Sequence, residues 1–201
     1  MTHGLVLYAR SRALPRTVLV LAATAVLAVC GARGLNAYVD PYRQIPVVAL
    51  APLFAAAVIG TSLHSASEEL DRTAVRPWWR RRLVHLLALT CCTALLLAAS
   101  VAGSPSPFGP PAMIRNTLGC TGLTAASATL LGARLSWLPA FAYVSAVYIG
   151  AASARSSLLP LWAWPVQPAA QPGAWLASLT LLTAGTTVYA TYGARREGPR
   201  A

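Results

Sequence analysis

The stretch IPVVALAPLFAAAVIGTSL, Ile45 to Leu63, decides the fold. It carries no charge and no run of polar residues, and it is long enough to cross a bilayer as a helix. Crossing takes ~20 mostly apolar residues, because the hydrocarbon offers no water and the segment must satisfy its own backbone groups. A helix of a soluble bundle would instead show polar positions every three or four residues, and this stretch is apolar all round. Working outward, Thr17 to Ala32, Leu83 to Ala102, Ala112 to Ala133, Leu135 to Ala154 and Ala174 to Ala194 read the same way. The expectation is an all-α integral membrane protein with six transmembrane helices, forming a single transmembrane domain over residues 1–201. Composition agrees: 10% of the residues are charged and 56% hydrophobic. An ordinary soluble domain carries about 25% charged residues, so there is too little polar surface here to cover a soluble globule.

Charge placement sets the expected orientation. Every basic side chain other than histidine is arginine, and the arginines gather between the apolar stretches. Arg10, Arg12, Arg16, Arg72, Arg76, Arg80, Arg81, Arg82, Arg134, Arg195, Arg196 and Arg200 fall in segments that alternate onto one side. Arg33, Arg43, Arg115 and Arg155 fall on the other. The positive-inside rule then places both termini in the cytoplasm, as an even number of spans requires, with the plasma membrane as the expected location. Cleavage after an N-terminal signal ending Leu27-Ala28-Val29-Cys30, loosely like a lipoprotein box, would leave five spans and break that agreement. The net charge of +11 reads as topology and attraction to anionic lipid headgroups. The arginines abut spans, and no aromatic-studded basic domain is present to bind nucleic acid.

Several chemistries are excluded by what is missing. Without a lysine the chain has no GxxxxGK[ST] loop, so it does not bind ATP by that route. His3, His64 and His85 lack HExxH spacing, and no metal site, cofactor site or catalytic residue is expected. Cys30, Cys91, Cys92 and Cys120 read as small buried apolar residues. Asp40, Glu68, Glu69, Asp71 and Glu197 all lie outside the spans, which counts against coupling to an ion gradient.

The informative segment lies between the second and third spans, at 64–82. Ser65 and Glu68 have capping-box spacing, Glu68, Glu69 and Asp71 fill the first turns, Arg72 and Arg76 lie toward the end, and Pro77 stops the helix. This predicts a short cytoplasmic helix. Trp78 and Trp79, followed by Arg80, Arg81 and Arg82, would seat the chain at the headgroup level before it re-enters the bilayer. Acids on a cytoplasmic face do nothing for topology, so the cluster reads as a protein-docking element. A solvated loop with an interfacial anchor is the plainer alternative.

That layout, with Glu68-x-x-Asp71-Arg72-Thr73 leading into Arg80-Arg81-Arg82-Leu83, resembles the permease subunits of type-2 ATP-binding-cassette (ABC) exporters. The resemblance implies that Glu68, Glu69, Asp71, Arg72 and Arg76 dock a separate ABC ATPase, and that two membrane subunits pair as a homo- or heterodimer. It also implies that the external connection 155–173, with Trp162 and Trp164, folds into short re-entrant helices. An interfacial loop anchored by those tryptophans is the alternative.

Inside the spans, Gly122/Ala126 and Ala128/Gly132 have small-xxx-small spacing for close helix approach. Thr180, Thr183, Thr187 and Thr191 form one stripe of the last span and are the candidate wall of a transport path; such hydroxyls also bond their own helix. Arg115 and Asn116 open the fourth span as a candidate contact for an anionic substrate or headgroup, or as a snorkelling interfacial arginine. The function expected is that of an exporter permease; the rival is a non-transporting immunity, scaffold or regulatory protein of the membrane.

Overall fold

The computed structural model describes residues 14–34, 41–64, 78–103, 107–151 and 158–195. All regular structure among them is helical. Six long helices are α1 (Leu14–Gly34), α2 (Ile45–Ser62), α3 (Trp78–Ser100), α4 (Pro110–Leu131), α5 (Trp137–Gly150) and α7 (Pro172–Tyr192). A single turn, α6 (Leu159–Trp162), and 3-10 turns at Pro41–Gln44 and Trp164–Val166 fill two of the connections.

The helix ends match physical breaks in the chain. Proline lies in the first turn of α2, α4 and α7, where its missing N–H would have no intrahelical partner. Glycine closes α4 and α7 at Gly132 (φ 87°) and Gly193 (φ 75°), in a backbone region that side chains avoid.

The contacts fix the direction of each helix. At one end Gly31 lies against Val47, the Asn116 side chain donates to the Val48 carbonyl, and the Ala169 N–H donates to the Pro107 carbonyl. At the other end Gly60 lies against Thr124 and Ser136, the Arg195 N–H donates to the Ala128 carbonyl, and Gly193 lies against Arg82. It follows that α2, α4 and α7 run one way and α1, α3 and α5 the other.

Helix α4 is the centre. It packs against α2, α3, α5 and α7, most extensively against the parallel α7. The two approach so closely at Gly122 and Gly185 that a Cβ on Gly185 would collide with the Gly122 carbonyl. A Cβ on Gly122 would come 2.5 Å from the Leu182 Cα. Close backbone approach of this kind is how helices associate where no hydrophobic drive separates protein from solvent. Helix α1 is peripheral and buries one stripe, Thr17, Leu21, Thr24, Ala28 and Ala32.

Beside its apolar core the bundle buries a set of polar side chains and exposes large apolar ones. The buried set includes Arg115, Asn116, Thr117, Thr121, Ser136 and Ser178. The outer surface carries Leu19 and Leu27, each 71% exposed, and Ile149, 79% exposed. Soluble proteins bury such side chains and leave arginine and asparagine outside. Helices α1, α2 and α3 are long and apolar enough to cross a membrane, so the fold is that of a helical membrane protein.

The structure adjusts several sequence boundaries. Helix α3 begins at Trp78, five residues before the expected span, so Trp78, Trp79 and Arg80 to Arg82 form its first turns and not a connecting loop. There the Arg81 guanidinium lies 4.9 Å from the Trp78 ring centroid and that of Arg80 5.3 Å from Trp79. Helix α5 has 14 residues where twenty were expected; at 1.5 Å per residue it is about 21 Å long, short of the ~30 Å hydrocarbon core. Helices α4 and α7 have 22 and 21 residues, but their glycines and threonines make them less apolar than α1 to α3. Cys30, Cys91 and Cys92 are exposed on the outer surface, leaving Cys120 as the buried one. The expected docking helix, with Glu68, Glu69, Asp71, Arg72 and Arg76, lies outside the described residues.

Candidate functional site: a polar latch beneath a tucked-in hairpin

Between α5 and α7, the described residues 158–171 fold as α6, which stays at the surface, and the Trp164–Val166 turn, which tucks into the bundle and carries Trp164 to 1% exposure. The sequence makes this possible in three ways. Pro160 and Pro165 sit within the first turn of each short helix and limit its length. Gly119 on α4 leaves the space that the indole fills, since a Cβ there would lie 2.5 Å from Trp164 Cη2. Tyr143 on α5 stacks on the other side of Trp164 with 6.1 Å between centroids, and its hydroxyl donates to the Trp162 carbonyl.

Two adjacent side chains of α4 lock the hairpin. Arg115 is 0% exposed, and each of its guanidinium nitrogens has a partner. Nη1 donates to the Pro168 carbonyl at 2.8 Å, Nη2 to the Gln167 carbonyl at 2.7 Å, and Nε to Asn116 Oδ1 at 3.1 Å. Asn116 Nδ2 then donates to the Pro165 carbonyl at 2.7 Å and to the Val48 carbonyl at 2.9 Å. Pro165 lies in the 3-10 turn and Gln167 and Pro168 in the irregular backbone after it, where the Pro168 carbonyl also accepts the Gln171 N–H at 3.3 Å; carbonyls left unpaired away from water are costly. The Val48 contact ties the same latch to α2. A planar, five-donor guanidinium suits this task, because one group reaches two successive carbonyls and a side-chain amide at once.

The latch is chemically a holder. Its donors are aimed at neutral oxygens; among the described residues no carboxylate is present, and no group of three or more His, Cys, Asp or Glu side chains assembles to hold a metal. Arg115 does not snorkel: its side chain is turned inward. Trp164 is corrected from an interfacial anchor to a core residue, whereas Trp162 keeps 36% exposure. Thr180, Thr183, Thr187 and Thr191 lie on the outer surface of α7, and the Thr183 and Thr191 hydroxyls donate back to carbonyls of their own helix. Within one chain, then, the stripe does not face the interior.

Other polar groups that face the interior carry no individual mark in the sequence pattern. Thr121 and Thr124 of α4 and Thr93 of α3 are at most 1% exposed, and their hydroxyls have no hydrogen-bond partner. They alternate with alanines and glycines along α4, and in a one-dimensional reading they look like the other helix threonines that bond their own backbone, as Thr117 does. The signal that could have found them is spacing: Thr117, Thr121 and Thr124 share one face of α4. Compared with family models, characterised proteins and solved structures, the chain matches none.

Proposed function

We propose that this chain is the membrane-spanning permease subunit of an ATP-driven exporter in the plasma membrane. In this reading all six long helices cross the bilayer, local thinning accommodating the 14-residue α5, both termini are cytoplasmic, two membrane subunits pair, and a separate ABC ATPase docks on residues 64–82. The observation that carries it is the acidic sequence Ser65 to Arg76, with capping-box spacing, between the second and third helices. Two features of the fold support it. His64, Trp78, Arg134 and Arg195 lie at one end of the bundle, where the arginine-rich connections gather. The tucked-in hairpin between α5 and α7 occupies the opposite end. Closure of the ATPases would shift the docking segments, and rigid-body movement of the helices would alternate access to a path between subunits.

Purification in mild detergent, with identification of co-purifying chains and an assay of ATP hydrolysis, tests this. A stoichiometric ATPase that is lost from a Glu68→Gln, Asp71→Asn variant still inserted in the membrane is the expected result. Purification of the chain alone, under conditions that preserve known membrane complexes, would overturn it. One observation favours a second reading, a non-transporting immunity or scaffold protein: the external arginine with the strongest claim to a substrate, Arg115, is engaged in holding the hairpin.

A further inference from the structure

Two depressions adjoin at the start of α2, one running along α2 against α1 and the other lying between α2 and the end of α5. The first is a groove of about 600 Å³ between α1 and α2, lined by Leu27 of α1, by Pro46, Leu50 and Phe54 of α2, and by Trp137 at its far end. Its lining is almost entirely apolar. The second, about 580 Å³, is lined by Tyr42, Arg43, Tyr148 and Gln167. Pro46 lines both, so the recess, whose remaining walls are the apolar Ile45, Ala151 and Val166, adjoins the end of the apolar groove. Arg33, in the last turn of α1, lies at that same end.

We propose that this composite cleft binds one anionic lipid, with an acyl chain in the α1–α2 groove and the headgroup at Arg43. Three features select this occupant. Helices α1 and α2 are long and apolar enough to lie in a bilayer, so hydrocarbon is the medium that meets the groove. From Pro46 to Thr61 the groove follows α2 for fifteen residues, about 22 Å, enough for the chain of one leaflet in a core ~30 Å thick. The recess at its mouth supplies a guanidinium, two phenols and an amide, donors that suit a phosphate ester. Water-soluble anions would use the recess and leave the groove empty. The site does not depend on the exporter reading; it requires only that α1 and α2 lie in a membrane.

Native mass spectrometry tests this on the full chain, reconstituted with equal amounts of phosphatidylglycerol and phosphatidylcholine of identical chains and then washed with delipidating detergent. The wild type is expected to retain one lipid with a preference for phosphatidylglycerol. Arg43→Gln should cut that preference about fivefold, the factor that one surface arginine contributes near an anionic headgroup. Leu50→Trp, at an exposed groove position, should abolish retention of both lipids with an unchanged melting temperature. Retention of no lipid by the wild type, or an unaltered preference in Arg43→Gln, would overturn the proposal. So would disulfide cross-linking of Phe54→Cys between copies, which would make a second protomer the occupant.

Discussion

Arg115 and Asn116 illustrate how far single residues can be read. Their polarity in an apolar stretch marks them from sequence, but their partners do not. The oxygens they bind are backbone carbonyls of Val48, Pro165, Gln167 and Pro168, and carbonyls have no signature in a sequence. Removing the guanidinium takes a donor from each of two half-buried carbonyls, leaving that of Pro168 with the Gln171 N–H, and frees the hairpin, so Arg115→Ala should lower stability in detergent by about 2 kcal/mol. Arg115→Lys should recover only part of this, since one ammonium cannot reproduce the fork. Denaturant titration followed by tryptophan fluorescence checks both, Trp164 being the buried reporter. The interior threonines predict the opposite sign. Thr121→Val and Thr124→Val remove hydroxyls that have no partner, and such replacements are nearly neutral or stabilising. A loss above ~2 kcal/mol in either variant would show that the hydroxyl is bonded in the membrane.

At the level of elements, the existence of the helices was legible and their roles less so. Apolar runs set six segments to within a few residues for α2 and α7, because proline and glycine punctuate those ends. Helix α3 starts earlier than hydropathy suggested, since aromatic and arginine side chains extend a helix while lowering its apolar average. Small-xxx-small spacing marked Gly122 but not Gly185, because a glycine with Leu181 and Tyr189 four residues away on either side looks unremarkable until a second helix is laid against it. Their contact predicts that Gly185→Val destabilises the protein by ~3 kcal/mol through overpacking. The same substitution at Gly34, which faces open space, should cost under ~1 kcal/mol. Thermal melts in one detergent compare the two. The threonine stripe of α7 separates the readings of function. Thr183→Val and Thr187→Val lie on the outer surface and should leave the melt unchanged; if paired subunits enclose a path there, transport changes in the same variants.

For the molecule as a whole, the deciding property is its apolar outer surface, which exposes Leu19, Leu27 and Ile149 while Arg115, Asn116 and several threonines are buried beside an apolar core. Composition announced this, since a chain with 10% charged residues cannot clothe a soluble surface. The tucked-in hairpin was not announced by composition, because what distinguishes it from a surface loop is the space Gly119 leaves on a helix forty-five residues before Trp164. The alternating directions of the six long helices lead to a testable topology. In a background with the native cysteines replaced by serine, single cysteines at positions 64, 102, 134, 158 and 195 are exposed to a membrane-impermeant maleimide on intact cells. Positions 102 and 158 are expected to label at once, and positions 64, 134 and 195 only after the membrane is opened. Labelling of 158 and 195 from the same side would contradict the arrangement.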